Sequence, residues 1–295
     1  MTGAHPEPVP ALRSRGTDRL PLLGLGEARS TVAGSVQRAA DRTWSLGDLD
    51  WGRLRPESLT DDDRSAVRFI TFVEDHIPGY LTWLMELFPL VGEEIPVEEF
   101  CVNREYFRFF VTWAADEERH AAALTRYQTA AGMAEPDELA EELATEGRKR
   151  FTLPYREPLQ AFTYTLVQEK ATQLFYQRFR SRVREPLLRE LLHRLARDEA
   201  RHFALYAQLV AAYLRTGGTR ALPPVKEVLD TFRMPLADTL TDYWRWSLKV
   251  ADSVDYDHTE AYEALVRLVR EYTGTAGEGD GDELLSFVAS IGRLA

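Results

Sequence analysis

The chain has 295 residues, 44% of them apolar and 11% aromatic, which is enough to bury a substantial core, so a disordered or fibrous protein is excluded. Its single cysteine, Cys101, cannot form an internal disulfide, and no uninterrupted apolar run approaches the roughly 18 residues of a membrane span. The formal net charge of −11 argues against general affinity for nucleic acid or anionic membranes, and the N-terminal stretch lacks an apolar segment ending in a small-residue cleavage site, so a cytoplasmic protein is expected.

Residues 1–40 hold several prolines and no sustained period, and read as a flexible tail or surface strap; residues 41–295 read as one domain. From Asp61 onward apolar residues recur at helical spacing, with breaks where Gly and Pro cluster. The spacing predicts helices over about 62–90, 97–130, 136–149, 157–182, 185–216, 225–250 and 258–273. Thr60 followed by Asp61, Asp62 and Asp63 gives the first a capped, acidic start that suits the helix dipole. A Gly- and acid-rich loop over 273–282 precedes a short final helix. The predicted class is all-α.

One string recurs, Asp-Glu-x-Arg-His, as residues Asp116 to His120 and again as Asp198 to His202. A lone Glu-x-x-His arises readily by chance, but the five-residue string twice does not. In a helix, Glu and His three residues apart share one face and can hold one side of a metal site. Glu117 is flanked at helical spacing by Phe110, Trp113, Ala114, Ala121 and Leu124, and Glu199 by Leu192, Leu195, Ala196, Phe203 and Tyr206, so both faces point into the core. Two further acids lie on apolar stripes: Glu74 with Val67, Ile70, Ile77 and Leu81, and Glu169 with Phe162, Leu166 and Tyr176. Buried carboxylates cost several kcal/mol without compensating charge, and a metal centre supplies it. The order Glu74, Glu117 with His120, Glu169, Glu199 with His202 is the ligand pattern of ferritin-like bundles with a four-helix di-iron core. Oxygen and imidazole donors suit iron, with manganese acceptable at one site.

Asp116 and Asp198 are predicted to accept hydrogen bonds from the histidine of the opposing pair, with Arg119 and Arg201 balancing the charge. A third pair, Glu190 and His193, lies half a turn out of phase and reads as a solvated ion pair. His76 points away from Glu74 and reads as packing, and Cys101 as a small filler.

These residues resemble the soluble acyl-carrier-protein desaturases. That family carries Trp-Thr-Ala-Glu-Glu-Asn-Arg-His, similar to Trp113 to His120 here, and Asp-Glu-Lys-Arg-His, similar to Asp198 to His202. Its Gln-Glu-Arg-Ala-Thr looks like Gln168 to Thr172, and its Glu-Glu-Ala-Leu-Pro-Thr-Tyr looks like Glu74 to Tyr80. Weaker likeness runs from Trp44 to Arg270. The resemblance implies that Glu74, Glu117, His120, Glu169, Glu199 and His202 bind two ferrous ions, that the Thr172 hydroxyl assists oxygen activation, and that Trp44 lies on the electron route. It implies an O2-dependent oxidoreductase that inserts a double bond into an acyl chain on acyl carrier protein, with ferredoxin as electron donor, in a homodimer with additional C-terminal helices. Departures from the family are Ala121 in place of a usual Gly, an unlike stretch from Glu86 to Phe100, and a shorter chain. They bear on the substrate more than on the metals. Arg148, Lys149 and Arg150, or the run from Arg178 to Arg184, are candidate landing sites for an acidic carrier. Two alternatives stand beside this reading: a di-iron hydroxylase or N-oxygenase of a secondary metabolite, and a non-catalytic metal-binding or radical-generating subunit in which Tyr206 would lie near the metals.

Overall fold

The computed structural model describes residues 20–245, and every regular element among them is helical. The helices are α1 (Leu25–Ala40), α2 (Asp61–Glu74), α3 (Ile77–Leu87), α4 (Val97–Ala130), α5 (Pro136–Gly147), α6 (Pro158–Arg182), α7 (Pro186–Gly217) and α8 (Leu222–Thr231). Short 3-10 turns carry the chain from α1 to α2. Among the described residues no helix is long and apolar enough to cross a membrane.

Three sequence expectations change. The expected tail contains α1, which buries Ala28, Val32, Ser35 and Ala39 along one stripe and is tied to α4 by Arg29 Nε, 3.1 Å from Glu105 Oε1. Its stripe is built of small residues, and so carries a weak periodic signal. The expected helix over 62–90 is two helices, because Pro78 lacks the N–H that would bond the carbonyl of Glu74 and its ring crowds that carbonyl. The helix expected over 225–250 stops at Thr231; Pro235 lies just beyond, and the buried Leu236 has φ of 66°, which no helix accommodates. The helix expected over 258–273 and the final loop lie outside the described residues.

Caps set the helix ends. Thr60 Oγ1 accepts from Asp63 N at 3.1 Å while the Asp63 carboxylate accepts from Thr60 N at 2.9 Å, a reciprocal box at the start of α2. At the start of α7 the wholly buried Glu185 carboxylate accepts from Leu187 N, Leu188 N, Arg55 N and Tyr127 Oη. One acid thereby joins α4, α7 and the crossing segment.

The four long core rods are α2 continued by α3, α4, α6 and α7, and their apolar faces form two separate clusters. One contains Phe110, Trp113, Phe162 and Leu209; the other contains Ile70, Leu124, Phe179 and Leu192. Burying each of these side chains contributes roughly 1.5–3 kcal/mol. Along every rod the two clusters are separated by one buried polar stretch: Glu74 before α3, Glu117 and His120 on α4, Glu169 on α6, Glu199 and His202 on α7. A polar layer is thus sandwiched between two dry cores.

Candidate metal centre

Six side chains meet in this layer, all 5% exposed or less. Glu74, Glu117, His120 and Glu199 form one group whose donor atoms lie within 4.8 Å of one another; Glu117, Glu169, Glu199 and His202 form a second. The groups share Glu117 and Glu199. Around His120 Nδ1 stand Glu117 Oε2 at 3.3 Å, Glu199 Oε1 at 3.5 Å and Glu74 Oε2 at 3.6 Å. Around His202 Nδ1 stand Glu117 Oε1 at 3.0 Å, Glu199 Oε2 at 3.5 Å and Glu169 Oε2 at 3.5 Å. Each shared glutamate therefore gives one oxygen to each imidazole, while Glu74 and Glu169 serve one side each.

The outer face of each imidazole is held by the other motif. His120 Nε2 lies 3.1 Å from Asp198 Oδ2, and His202 Nε2 lies 3.3 Å from Asp116 Oδ2. A proton on Nε2 leaves the Nδ1 lone pair directed at the shared carboxylates. Arg119 Nη1 binds Asp116 Oδ1 at 2.8 Å, and Arg201 joins both acids, reaching Asp116 Oδ2 at 3.1 Å and also Asp198 Oδ1. Trp44, buried under the guanidinium groups of Arg119 and Arg194, donates its indole N–H to Asp198 Oδ2 at 2.7 Å, and its ring stacks 6.5 Å from that of His120.

Six carboxylates and two guanidiniums leave four negative charges uncompensated if the imidazoles are neutral, the charge of two divalent cations. Without cations the layer holds protons instead. Burial and the adjacent Glu117 push the Glu74 carboxyl up to about 7. Burial, Glu117 and Glu169 raise Glu199 well above the carboxylate range. Burial opposes charge on His120 and His202, yet the Glu117 carboxylate and the acids around them raise both well above the usual histidine value. Glu117 is disfavoured by burial but held low by those two imidazoles. His120 Nδ1, His202 Nδ1, Glu117 Oε1 and Glu199 Oε1 are buried without a hydrogen-bond partner. Orphaned donor atoms of this kind, two nitrogens amid carboxylate oxygens, fit two iron or manganese ions.

Two contacts escaped the sequence reading. Trp113 Nε1 donates to Glu169 Oε1 at 3.2 Å, and the Tyr176 hydroxyl donates to Glu74 Oε1. Trp113 and Tyr176 do lie on the inward stripes around Glu117 and Glu169, but only the packing of separate helices reveals their polar partners. Thr172 is half-buried one turn beyond Glu169 on α6. Tyr206 is buried with its hydroxyl beside that of Thr165, its ring edge-on to Phe109 at 5.3 Å. Glu190 pairs with Arg194 at 3.0 Å, not with His193. Lys149 is engaged by Glu146 and Thr241, at 2.6 Å each, whereas Arg148, Arg150, Arg180, Arg182 and Arg184 are exposed. His76 is buried, its ring edge-on to Phe151, and Cys101 is half-buried.

Paired carboxylate–imidazole sets from four rods define a ferritin-like helical bundle. The sequence profile described as fatty acid desaturase matches residues 51–272, and the chain belongs to that family. DesA2 of Mycobacterium tuberculosis, described as an acyl-ACP desaturase, is 25% identical over 168 residues, which is 56% of this chain and 55% of that protein. The match thus spans about half the length of this curated relative. The X-ray structure of DesA2 from strain H37Rv superposes with a TM-score of 0.63 at 18% identity, covering 88% of this chain and 98% of that one. A mutant R2-like ligand-binding oxidase with an aerobically reconstituted Mn/Fe cofactor gives 0.50 at 18% identity, covering 89% and 91%.

Proposed function

We propose that the protein is an oxidoreductase, an O2-dependent di-iron oxidase that inserts a double bond into an acyl chain tethered to a carrier protein. The carrying observation is the pair of overlapping donor groups with both imidazole Nδ1 atoms unpartnered and turned inward. Family membership and the likeness to an acyl-ACP desaturase support the substrate class. A ferredoxin-type donor, a homodimer and a cytoplasmic location belong to the same reading.

Glu74, Glu117, His120 and Glu199 would hold one iron, and Glu117, Glu169, Glu199 and His202 the other. Two bound ferrous ions would relay electrons from the donor and supply the site at which O2 is activated for removal of hydrogen from an unactivated carbon. The chain's own residues do the rest. Asp198 and Asp116 fix the imidazole tautomers, Trp113 fixes Glu169, and Arg119 with Arg201 limits the net charge of the layer. The two dry cores exclude water, so reactive species are not lost to solvent. Thr172 is assigned to hold a proton beside Glu169, and Trp44 to pass electrons through Asp198 towards His120.

Metal analysis after anaerobic loading with iron, manganese or both is expected to find two ions per chain. Incubating the reduced protein with O2, a reduced ferredoxin and acyl carrier proteins of several chain lengths should give, by mass spectrometry, loss of two hydrogens. Gain of one oxygen would assign a hydroxylase instead, and no change across the panel overturns the acyl oxidase.

A further inference from the structure

We propose that Tyr176 is a redox-active residue that gives one electron to the metal centre while its proton passes to Glu74. This rests on the di-iron reading of the cluster. Tyr176 lies on α6, two turns beyond Glu169, and is 1% exposed. Its hydroxyl donates to Glu74 Oε1, while the other oxygen of that carboxylate, Oε2, faces His120 Nδ1. One carboxylate therefore touches the phenol with one oxygen and the metal-binding group with the other.

Oxidising a buried phenol without removing its proton would leave a cation in a dry core, which is costly. The hydrogen bond to Glu74 removes that cost, because the proton has an acceptor already in place. Tyr206 offers the contrast: it is as deeply buried and also close to the cluster, but the side chain beside its hydroxyl is the neutral Thr165, whose own hydroxyl is engaged by the Ala161 carbonyl, so no carboxylate stands ready to take its proton. The Tyr176 ring sits in the apolar cluster that contains Ile70, Leu192 and Phe179, with Phe175 5.9 Å away, which shields it from solvent reductants. Packing alone would be met by Phe.

The electrons balance without substrate. Reducing O2 to two waters takes four electrons and four protons. Two electrons come from the oxidation of two ferrous ions to ferric, Tyr176 gives the third, and an added one-electron reductant the fourth. The phenol O–H bond breaks and its proton is held on Glu74, while solvent supplies all four protons that the two waters take up. A later electron from the reductant, with the proton returned by Glu74, restores the phenol. Tyr176 thereby protects the core when oxidant forms with no substrate bound.

The test is rapid-freeze EPR of the protein loaded with two ferrous ions and mixed with O2 and one equivalent of a one-electron reductant, with metal content and ferric formation followed by Mössbauer spectroscopy. A tyrosyl signal is expected in the unaltered protein, absent in Tyr176→Phe with both irons retained, and present in Tyr206→Phe. No tyrosyl signal in the unaltered protein, or one that survives in Tyr176→Phe, overturns the proposal. Failure to retain two irons, or to oxidise them, sinks the underlying di-iron reading. Should Tyr176→Phe not retain metal, ring-deuterated tyrosine incorporated into the unaltered protein, with the hyperfine pattern matched to the ring orientation of Tyr176, decides between it and Tyr206.

Discussion

Trp44 and Asp198 are 154 residues apart in sequence, yet the indole N–H meets Asp198 Oδ2 at 2.7 Å, the same oxygen that lies 3.1 Å from His120 Nε2. One carboxylate oxygen so orients both a surface-side ring and an interior imidazole. The Asp198→Asn variant keeps the shape but lacks the charge that fixes the His120 tautomer. It should bind metal about 10- to 100-fold more weakly, as outer partners of metal-bound histidines generally do. Trp44→Phe, which leaves Asp198 paired with Arg201, should alter affinity far less. Competition titrations against a chelator measure both, and equal losses would contradict the assigned roles.

The protons that stand in for metal give a pH signature. The folded-state value of Glu74 is about 7, against 4.5 ordinarily, so above 4.5 the unfolded chain releases a proton that the fold keeps. Stability of the metal-free protein must therefore fall as pH rises from about 5 towards 7. Glu199 adds to the trend. The raised values of His120 and His202 act in the same sense: their contribution is complete below about 6.5 and is lost as pH climbs through the folded values. Glu117 and Asp198 are shifted down, and matter only in more acidic solution. Metal displaces these protons, so loading should strengthen from pH 6 to 8 with proton release. Melting temperatures of both forms across pH 5.5–8, with calorimetry in two buffers of different ionisation heat, test the opposite slopes.

The recurring Asp-Glu-x-Arg-His string was legible because it sits on two long, unbroken helices, where three-residue spacing fixes a shared face whatever the packing. Glu74 and Glu169 were legible as acids on apolar stripes. Which glutamates serve both imidazoles was not, since that depends on how α4 and α7 lie against each other. The end of α2 was hidden because a proline can kink a helix as well as end it. Tyr176 meeting Glu74 joins positions 102 residues apart, and no local spacing encodes such a contact.

Glu185 tests the fold independently of the metal site. Its buried carboxylate satisfies Leu187 N, Leu188 N, Arg55 N and Tyr127 Oη, and Glu185→Ala strands three of them in the interior and the partly exposed Arg55 N beside them. A loss of about 3 kcal/mol or more is expected. Glu185→Gln, which keeps acceptor oxygen, should cost less. Urea midpoints with unchanged slopes give the difference.

Gly79 is the position where the desaturase motif quoted above has Thr, and here a Cβ would lie 2.9 Å from His76 Cδ2, 3.1 Å from His76 Nε2 and 3.0 Å from Phe151 Cβ. Helix propensity alone favours Ala over Gly within α3 by about 1 kcal/mol. The clash opposes it: His76 is buried and packed on Phe151, and the Phe151 contact is through Cβ, which no rotamer change can withdraw. Overpacking of this kind costs about 1–3 kcal/mol, so Gly79→Ala should lower the melting temperature despite its better propensity. In a His76→Ala background two of the three close contacts vanish, and the same substitution should come close to neutral. A double-mutant cycle measures that coupling. If Gly79→Ala instead stabilises the unaltered protein, α3 is free to shift away from the loop bearing Phe151, and the close packing of His76 is not what requires glycine.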